Sequence, residues 1–454
     1  MIRILSISGA ALSLSMIAIA AFVGPGFAQD EESAGTGLVE IQRVVSPGGI
    51  EAWLVEDDFV PIISVRIGFY AGSQNDEMGK EGTSTLSSWL YDEGAGELDS
   101  AAFQNRLQEY AIRMGFGSGR DRFNASMSTL SENKDVAFDM LRMALTEPRF
   151  DQDAIERMRR SLLSSIAQSE RDPNSIASRT FWSNAFPGHA YGSHGTAESV
   201  EAITVEDIRA MHGNLNRRNM RIGVAGNISA RELGRLLDQT FGDLPEGDAD
   251  YAPEEIAPQG GGELIVVESP NAQSVVIFGS QGIDYNDPDY MPAMVMNSIL
   301  GGGNFASRFM NVVREEHGLA YYVSSSLSVL DEASLYMGRV GTENARVGES
   351  IALIQSEITR LRDEGVTDEE LANTQQYLTG AYALGFGSNS SIASRLSFYQ
   401  MENLGLDYIN TRNLRIGAVS QEDIDRVSQR LLNPDDLLIV VVGQPEGLEP
   451  TSVQ

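Results

Sequence analysis

Apolar and polar side chains alternate between residues 38 and 70, as in Ile50-Glu51-Ala52-Trp53-Leu54-Val55 and Ile62-Ile63-Ser64-Val65-Arg66-Ile67-Gly68-Phe69. A period of two predicts two strands here, joined by a turn at Asp57-Asp58, with Pro61 ahead of the second. Beyond Gly82 the period changes. Apolar residues recur at three and four positions over Thr83 to Tyr91, Ala101 to Met114, Lys134 to Leu145 and Asp151 to Gln168, which predicts helices. Arg122 to Ser128 reads as a further strand between the second and third of these. Met220 to Gly226 reads as a strand ending in glycine, and it leads into a helix over Ala230 to Phe241. Strands, helices, strand, helices, strand, helix is an α+β order.

The second half repeats this order. Glu132-Asn133, a helix and Phe150 to Ile155 are echoed by Glu343-Asn344, a helix and Val366 to Leu371; 343 minus 132 gives 211, and 371 minus 155 gives 216. Arg221 to Gly226 is echoed by Leu438 to Gly443, and 443 minus 226 gives 217. A period this long denotes a duplicated domain and not a solenoid repeat. Pro245 to Gly262 is rich in Gly, Pro, Asp and Glu and reads as an exposed linker. The expected division is an N-terminal domain over 38–246, a linker over 247–262 and a C-terminal domain over 263–446.

The first residues alter the expected location. Arg3 precedes an apolar stretch from Ile4 to Val23, and Gly24-Pro25-Gly26-Phe27-Ala28 then places small residues where signal peptidase cuts. Residues 1–28 are expected to be a signal peptide cleaved after Ala28, which makes the mature chain exported and periplasmic, with no later segment apolar enough to span a bilayer. The chain has no cysteine, so export here implies no disulfide framework, and thiolate metal sites are excluded. A formal net charge of -31 argues against nucleic acid or an anionic membrane surface as partner, because both need a positive footprint.

Several stretches carry a family likeness. These are Phe69-Tyr70-Ala71-Gly72-Ser73-Gln74-Asn75-Asp76 with Gly82; Asp172-Pro173 and Phe186 to Gly192; and Leu300-Gly301-Gly302-Gly303 through Arg314-Glu315-Glu316-His317-Gly318-Leu319-Ala320-Tyr321. In their order and spacing they resemble the pitrilysin and mitochondrial-processing-peptidase family of zinc peptidases, over nearly all of the mature chain. The resemblance implies two duplicated α/β-sandwich halves, each a mixed and largely antiparallel sheet with helices packed on it, closing like a clamshell.

The family's chemistry rests on an H-x-x-E-H motif in the first helix, whose histidines share one face and bind zinc while the glutamate activates water. Alignment on Gly82 and Gly94 puts Thr85 and Trp89 at the histidine positions and Ser88 at the base position; the third ligand falls on Ser164 or Ser165. A threonine hydroxyl is a poor zinc ligand, an indole nitrogen has no free lone pair, and serine is no base near neutral pH. The four histidines, His189, His194, His212 and His317, never stand four residues apart. A loop site at His189, His194 and Glu198 lacks a helix to impose ligand geometry, so ordinary surface histidines are expected. Asp92 and Glu93 are expected to be a solvated helix end.

The resemblance also implies a substrate-holding pair, an arginine and a tyrosine seven residues apart, and Arg314 and Tyr321 have that spacing. Guanidinium and phenol can donate to a peptide carbonyl and to its developing oxyanion. Read without the family, Arg314 is a solvated charge near the end of a helix starting at Phe305, and Tyr321 opens a strand. The triple glycine at 301–303 has no following lysine, so a close turn between helices, capped by Asn304 or Ser307, is expected in place of a phosphate loop.

The expectation is therefore a non-catalytic, substrate-binding subunit of a heterodimeric zinc metallopeptidase. It would hold no metal or other cofactor of its own and would pair with a homologue that carries H-x-x-E-H and the zinc. Extended peptides would be its substrates. The alternative is a catalytically inactive structural or peptide-binding scaffold of the same fold.

Overall fold

The computed structural model of the chain describes residues 39–247, 251–302 and 305–453. The expected signal peptide and its cleavage point lie outside them. In the first half β1 (Gln42–Val45), β2 (Glu51–Glu56) and β3 (Ile62–Phe69) precede α1 (Thr83–Ser88). A short ribbon of β4 (Gly94–Ala95) and β5 (Leu98–Asp99) leads to α2 (Ser100–Glu109) and the hairpin β6 (Arg113–Ser118) and β7 (Phe123–Leu130). Five helices follow, α3 (Lys134–Thr146), α4 (Gln152–Ser169), α5 (Pro173–Ala185), α6 (Ala197–Ala202) and α7 (Val205–Gly213), then β8 (Met220–Gly226) and α8 (Ala230–Phe241).

The second half opens with β9 (Leu264–Glu268), β10 (Gln273–Gln281) and α9 (Tyr290–Leu300), followed by a π-helical segment, Met310–Glu316. The hairpin β11 (Ala320–Val329) and β12 (Ser334–Glu343) comes next, and then α10 (Val347–Glu364), α11 (Asp368–Leu384), α12 (Asn389–Met401), α13 (Tyr408–Gly417) and α14 (Gln421–Leu431). β13 (Leu438–Gly443) and β14 (Ser452–Val453) end it.

Among the described residues two six-stranded sheets have matching orders, β1-β2-β8-β3-β7-β6 and β14-β9-β13-β10-β12-β11. In each, one inner pair is parallel, β2 with β8 and β9 with β13, and the central strand is antiparallel to both neighbours. The halves differ at the outer strand, which runs antiparallel in β1 and parallel in β14. The strand-ending glycines are required by close approach: a Cβ on Gly226 would lie 2.0 Å from the Ile62 carbonyl oxygen, and one on Gly443 would lie 2.3 Å from Ser274 Oγ.

Local chemistry sets the helix starts. Asp172 accepts from the Ser175 amide with Pro173 in the first turn of α5, and reciprocal Thr or Ser caps open α7, α8, α11 and α14, as at Thr204 with Asp207 and Ser229 with Glu232. The helix expected to run to Met114 stops at Glu109, because Ala111 turns through φ 50° and the chain re-enters the sheet as β6. Gly115 and Gly117 interrupt that strand's apolar pattern, so its period is hidden in the sequence.

The sheets are covered on both faces, and the second cover is exchanged between halves. On one face of the first sheet Leu54, Val65, Ile67 and Ile222 pack with Leu86, Phe103, Phe138 and Leu237. Its other face receives α12 from the second half, where Ile392, Ala393 and Leu396 meet Trp53, Val55 and Ala225. Reciprocally, α5 of the first half puts Ala177, Phe181 and Trp182 against Ile265, Ile277, Leu438 and Val440 of the second sheet. Glycines let these helices approach: a Cβ on Gly223 would meet the Ala393 carbonyl oxygen at 2.2 Å, and one on Gly279 would meet Phe181 Cζ at 2.7 Å.

A buried polar network ties the halves at one end of α12. The Arg122 fork is taken by both carboxylate oxygens of Asp331, in the turn between β11 and β12, while Glu402 stands 3.5 Å away. The Tyr191 hydroxyl donates to Asp121 at 2.6 Å and accepts from the Glu332 amide at 3.1 Å. Burial raises the Glu402 carboxyl to about 7 even though Arg122 opposes the shift, since Arg122 is committed to Asp331 and the nearby Asp331, Asp121 and Asp284 charges add to the rise.

Two outcomes test this packing. Gly223→Val should destabilise the chain by about 3 kcal/mol or more, read from the urea midpoint, because the collision is with main chain that cannot move aside. Gly117→Ala, which meets nothing within 4 Å, should shift it by no more than about 0.5 kcal/mol. For Glu402 the fold prefers the protonated form, so its contribution is complete below the ordinary carboxylate pKa and is lost as pH rises through about 7. Glu402→Gln should therefore stabilise the chain at pH 8 by roughly 1–3 kcal/mol and much less at pH 5, measured by urea titration at each pH.

Candidate functional site

The positions aligned with the zinc motif lie on and just beyond α1. Gly82, at φ 103°, opens this helix, and Asp76 caps it by accepting from the amides of Gly82 and Ser84 at 2.8 Å each. Ser88 donates its hydroxyl to the Thr85 carbonyl at 2.8 Å and is buried, so it is tied to its own helix. Trp89 packs partly into the first-half core, and Ser164 and Ser165 are exposed on α4. Hydroxyls and an indole do not make a zinc ligand set. Among the described residues no group of three or more His, Asp or Glu is placed to hold a metal ion.

The four histidines have separate tasks. His189 pairs with Glu332 at 2.8 Å and accepts from the Tyr191 amide, His212 meets the buried Tyr91 hydroxyl at 3.1 Å, and His317 Nδ1 lies 2.9 Å from the Val312 carbonyl oxygen. Burial, aided by Arg179, lowers the His194 pKa. His189 is thus part of the contact between halves and not the free surface histidine expected. Asp92 and Glu93 also depart from expectation. Gln104 donates to Asp92, whose carboxyl is raised by burial, and Glu93 accepts from Ser100 at 2.7 Å and from Arg157, so together they bind the end of α1 to α2 and α4. Their neighbours exclude the solvated helix end.

Arg314 and Tyr321 are brought together at the surface of the second half. Arg308, at the start of the same helix, forms a forked pair with Glu370 at 2.7 and 2.9 Å and also bonds the Gly365 carbonyl; this holds the Glu370 carboxyl at about 2 against the effect of burial. That anchor fixes the π-helical segment carrying Arg314. Gly318, at φ 61°, ends it by donating its amide to the Arg314 carbonyl, and Thr342 then holds the Leu319 carbonyl at 2.8 Å. An irregularity in pairing between Ala320 and Val323 takes Tyr321 out of the ladder with β12, and Tyr321 is 87% exposed. The Arg314 guanidinium carbon lies 5.6 Å from the Tyr321 ring centre and 5.0 Å from that of Phe305, itself exposed. Arg314 is itself half-buried, and its Nη1 lies 3.4 Å from Glu315 Oε1.

The expected turn at Gly301 is present, where a Cβ would strike Phe309 and Ser325 Oγ at 2.4 Å. Of its expected caps, Asn304 lies outside the described residues, and the Ser307 hydroxyl is buried without a partner among them. Sequence reasoning missed Phe305, Arg308 and Glu370; the signal available was the Arg308 to Arg314 spacing of six on one helix, which pattern alone does not connect to Glu370. On the first half, the outer side of β6 carries no strand among the described residues. Beside it a pocket of about 470 Å³ opens between Gly115, Phe116 and Gly117 of β6 and Ser394 and Phe398 of α12.

Sequence comparison matches residues 53–197 to the insulinase domain of peptidase family M16 and residues 202–378 to the peptidase M16 inactive domain. The non-peptidase homolog YmxG of Helicobacter pylori is 26% identical over 85% of this chain and 90% of its own. A probable mitochondrial-processing peptidase subunit beta of Schizosaccharomyces pombe is 23% identical over 91% of this chain and 94% of its own. The crystal structure of a peptidase M16 inactive domain from Pseudomonas fluorescens superposes with a TM-score of 0.84 at 25% identity, covering 91% of this chain and all of that one. A Helicobacter pylori protease shares the fold at a TM-score of 0.81 and 16% identity, over 89% of this chain and 99% of its own. With both M16 domain types matched in order along one chain and Thr85, Ser88 and Trp89 standing where zinc chemistry is done, this protein belongs to peptidase family M16 as a non-catalytic homologue.

Proposed function

We propose that this chain is the substrate-binding subunit of an exported heterodimeric zinc metallopeptidase, paired with an M16 homologue that supplies H-x-x-E-H and the metal. One observation carries the reading: in a chain whose own zinc positions hold no ligands, a half-buried Arg314 stands beside an exposed Tyr321, its guanidinium carbon 5.6 Å from the ring centre. Tyr321 offers its phenol outward, and the half-buried Arg314, 3.4 Å from Glu315, lies next to it, where a peptide carbonyl beside a partner's metal can accept from both donors. An extended peptide would add to a free strand edge, and the edge of β6 with its adjoining pocket offers main-chain groups in that form. The net charge of -31 favours basic peptides among such substrates. Cleavage after Ala28 would release the mature subunit into the periplasm.

Peptide hydrolysis and zinc content, measured for the purified mature chain alone and mixed with an intact-motif homologue from the same source, test the proposal. Activity and zinc should appear only with the homologue. Arg314→Ala and Tyr321→Phe should each lower kcat of the mixture by about 10-fold or more while the chains still associate on size-exclusion chromatography. Zinc-dependent hydrolysis by this chain alone would refute the reading, and association without any activity would favour the scaffold alternative.

A further inference from the structure

A pocket of about 730 Å³ lies away from Arg314 and from the edge of β6. It forms where the β1–β2 turn, the loop before β8 and the C-terminal end of α12 meet, so both halves contribute to its wall. In a chain with 64 acidic against 33 basic residues, three arginines line it, Arg217, Arg218 and Arg221, against two carboxylates, Glu51 and Glu246. Both carboxylates are already engaged. Glu51 accepts from Arg43 at 2.8 Å and from the Trp53 indole at 3.2 Å, and Glu246 lies 3.5 Å from Arg218.

Among the described residues neither of the other two arginines forms an ion pair. Arg221 Nη1 donates only to main-chain carbonyls, those of Arg218 at 3.1 Å and Met220 at 2.9 Å, and its guanidinium lies 5.5 Å from the Tyr70 ring centre. No carboxylate pairs with it among the described residues. Arg217 Nε is buried and has no hydrogen-bond partner among them. Leaving a charged donor out of water and unpaired is costly, and a fold that retains the buried Arg217 Nε beside two further arginines on one wall is organised for an acceptor that arrives from outside. The field already acts inside the pocket: burial opposes ionisation of Glu51, but the bonds from Arg43 and Trp53 and the charges of Arg43 and Arg221 outweigh it and hold that carboxyl low.

We infer that this pocket binds a small oxyanion ligand, a phosphate- or carboxylate-bearing molecule held by Arg217 and Arg221 with Arg218 at the rim. Guanidinium forks match the paired oxygens of either group, and the volume lies in the range of small-molecule sites. The inference is independent of the proposed subunit role, since it needs neither a partner chain nor hydrolysis.

Isothermal titration of the mature chain with tripolyphosphate and with citrate, at matched ionic strength, tests it. At least one should bind saturably with one site per chain, weaken as salt is raised and increase Tm; the ion that binds more tightly identifies the source of the oxyanion. Arg217→Gln should weaken that binding about 10-fold, the loss of roughly one charged hydrogen bond. Its Tm without ligand should be unchanged, because this side chain bonds nothing among the described residues. Arg221→Gln should weaken binding as well, and Glu246→Gln should strengthen it by releasing Arg218. Saturable binding of neither ion, or binding that Arg217→Gln and Arg221→Gln leave intact, would overturn the inference.

Discussion

The structure depends on the exchange of α5 and α12 between the halves. Each sheet contains a parallel inner pair and is apolar on both faces, so one layer of its own helices leaves a second face that must be covered. Each half lends a helix to the other, and main-chain approach at Gly223 and side-chain approach at Gly279 make the fit close. Neither half retains a complete core without this exchange. The relative position of the two halves is therefore a consequence of core packing and not of a flexible tether.

The polar groups follow from that arrangement. Once α12 lies across the first sheet, its C-terminal end brings Glu402 to Arg122, and the turn after β11 brings Asp331 to the same guanidinium. Arg66 reaches Ser390 at 2.8 Å, Tyr70 donates to the Met401 carbonyl at 2.6 Å, and Gln400 donates to the Ile222 carbonyl at 2.8 Å. These bonds satisfy groups that the crossing would otherwise bury unpaired. The arginine-lined pocket opens beside this crossing, and the buried Arg217 Nε, without a partner among the described residues, is the exception there. The Arg314 and Tyr321 pair sits on a different part of the second half and is positioned by Arg308 and Glu370, whose ion pair is far better shielded from water than the surface pairs elsewhere.

Much of the duplication was legible in the chain. Alternation identified β2 and β3, and helical spacing identified α3, α4 and α8, because each of these helices presents one face to a single core. The exchange itself left a trace in the sequence: Asn174-Ser175-Ile176-Ala177-Ser178-Arg179 recurs as Ser390-Ser391-Ile392-Ala393-Ser394-Arg395, and 390 minus 174 gives 216, within the 211 to 217 range of the other repeat offsets. Each segment packs on the sheet of the opposite half through small as well as large residues, Ala177 and Ala393 among them, so neither announces itself as an amphipathic helix. Asp92 and Glu93 were misread for a related reason. A carboxylate at a helix end looks solvated in sequence, and only the distant Gln104 and Arg157 show that it is not.

The sequence by itself determined the chemistry that is absent and the residues that remain. Thr85, Ser88 and Trp89 cannot bind zinc whatever their geometry, because the limit lies in their lone pairs. It also determined the seven-residue spacing of Arg314 and Tyr321. The tertiary structure alone decided that these two lie side by side with Tyr321 facing outward, since that follows from a pairing irregularity in β11 and from an ion pair 62 residues apart in the chain. It alone decided that Arg217 and Arg221 share one pocket wall with no ion pair among the described residues, because which charges meet is set by the crossing of α12 over the first sheet and not by their number.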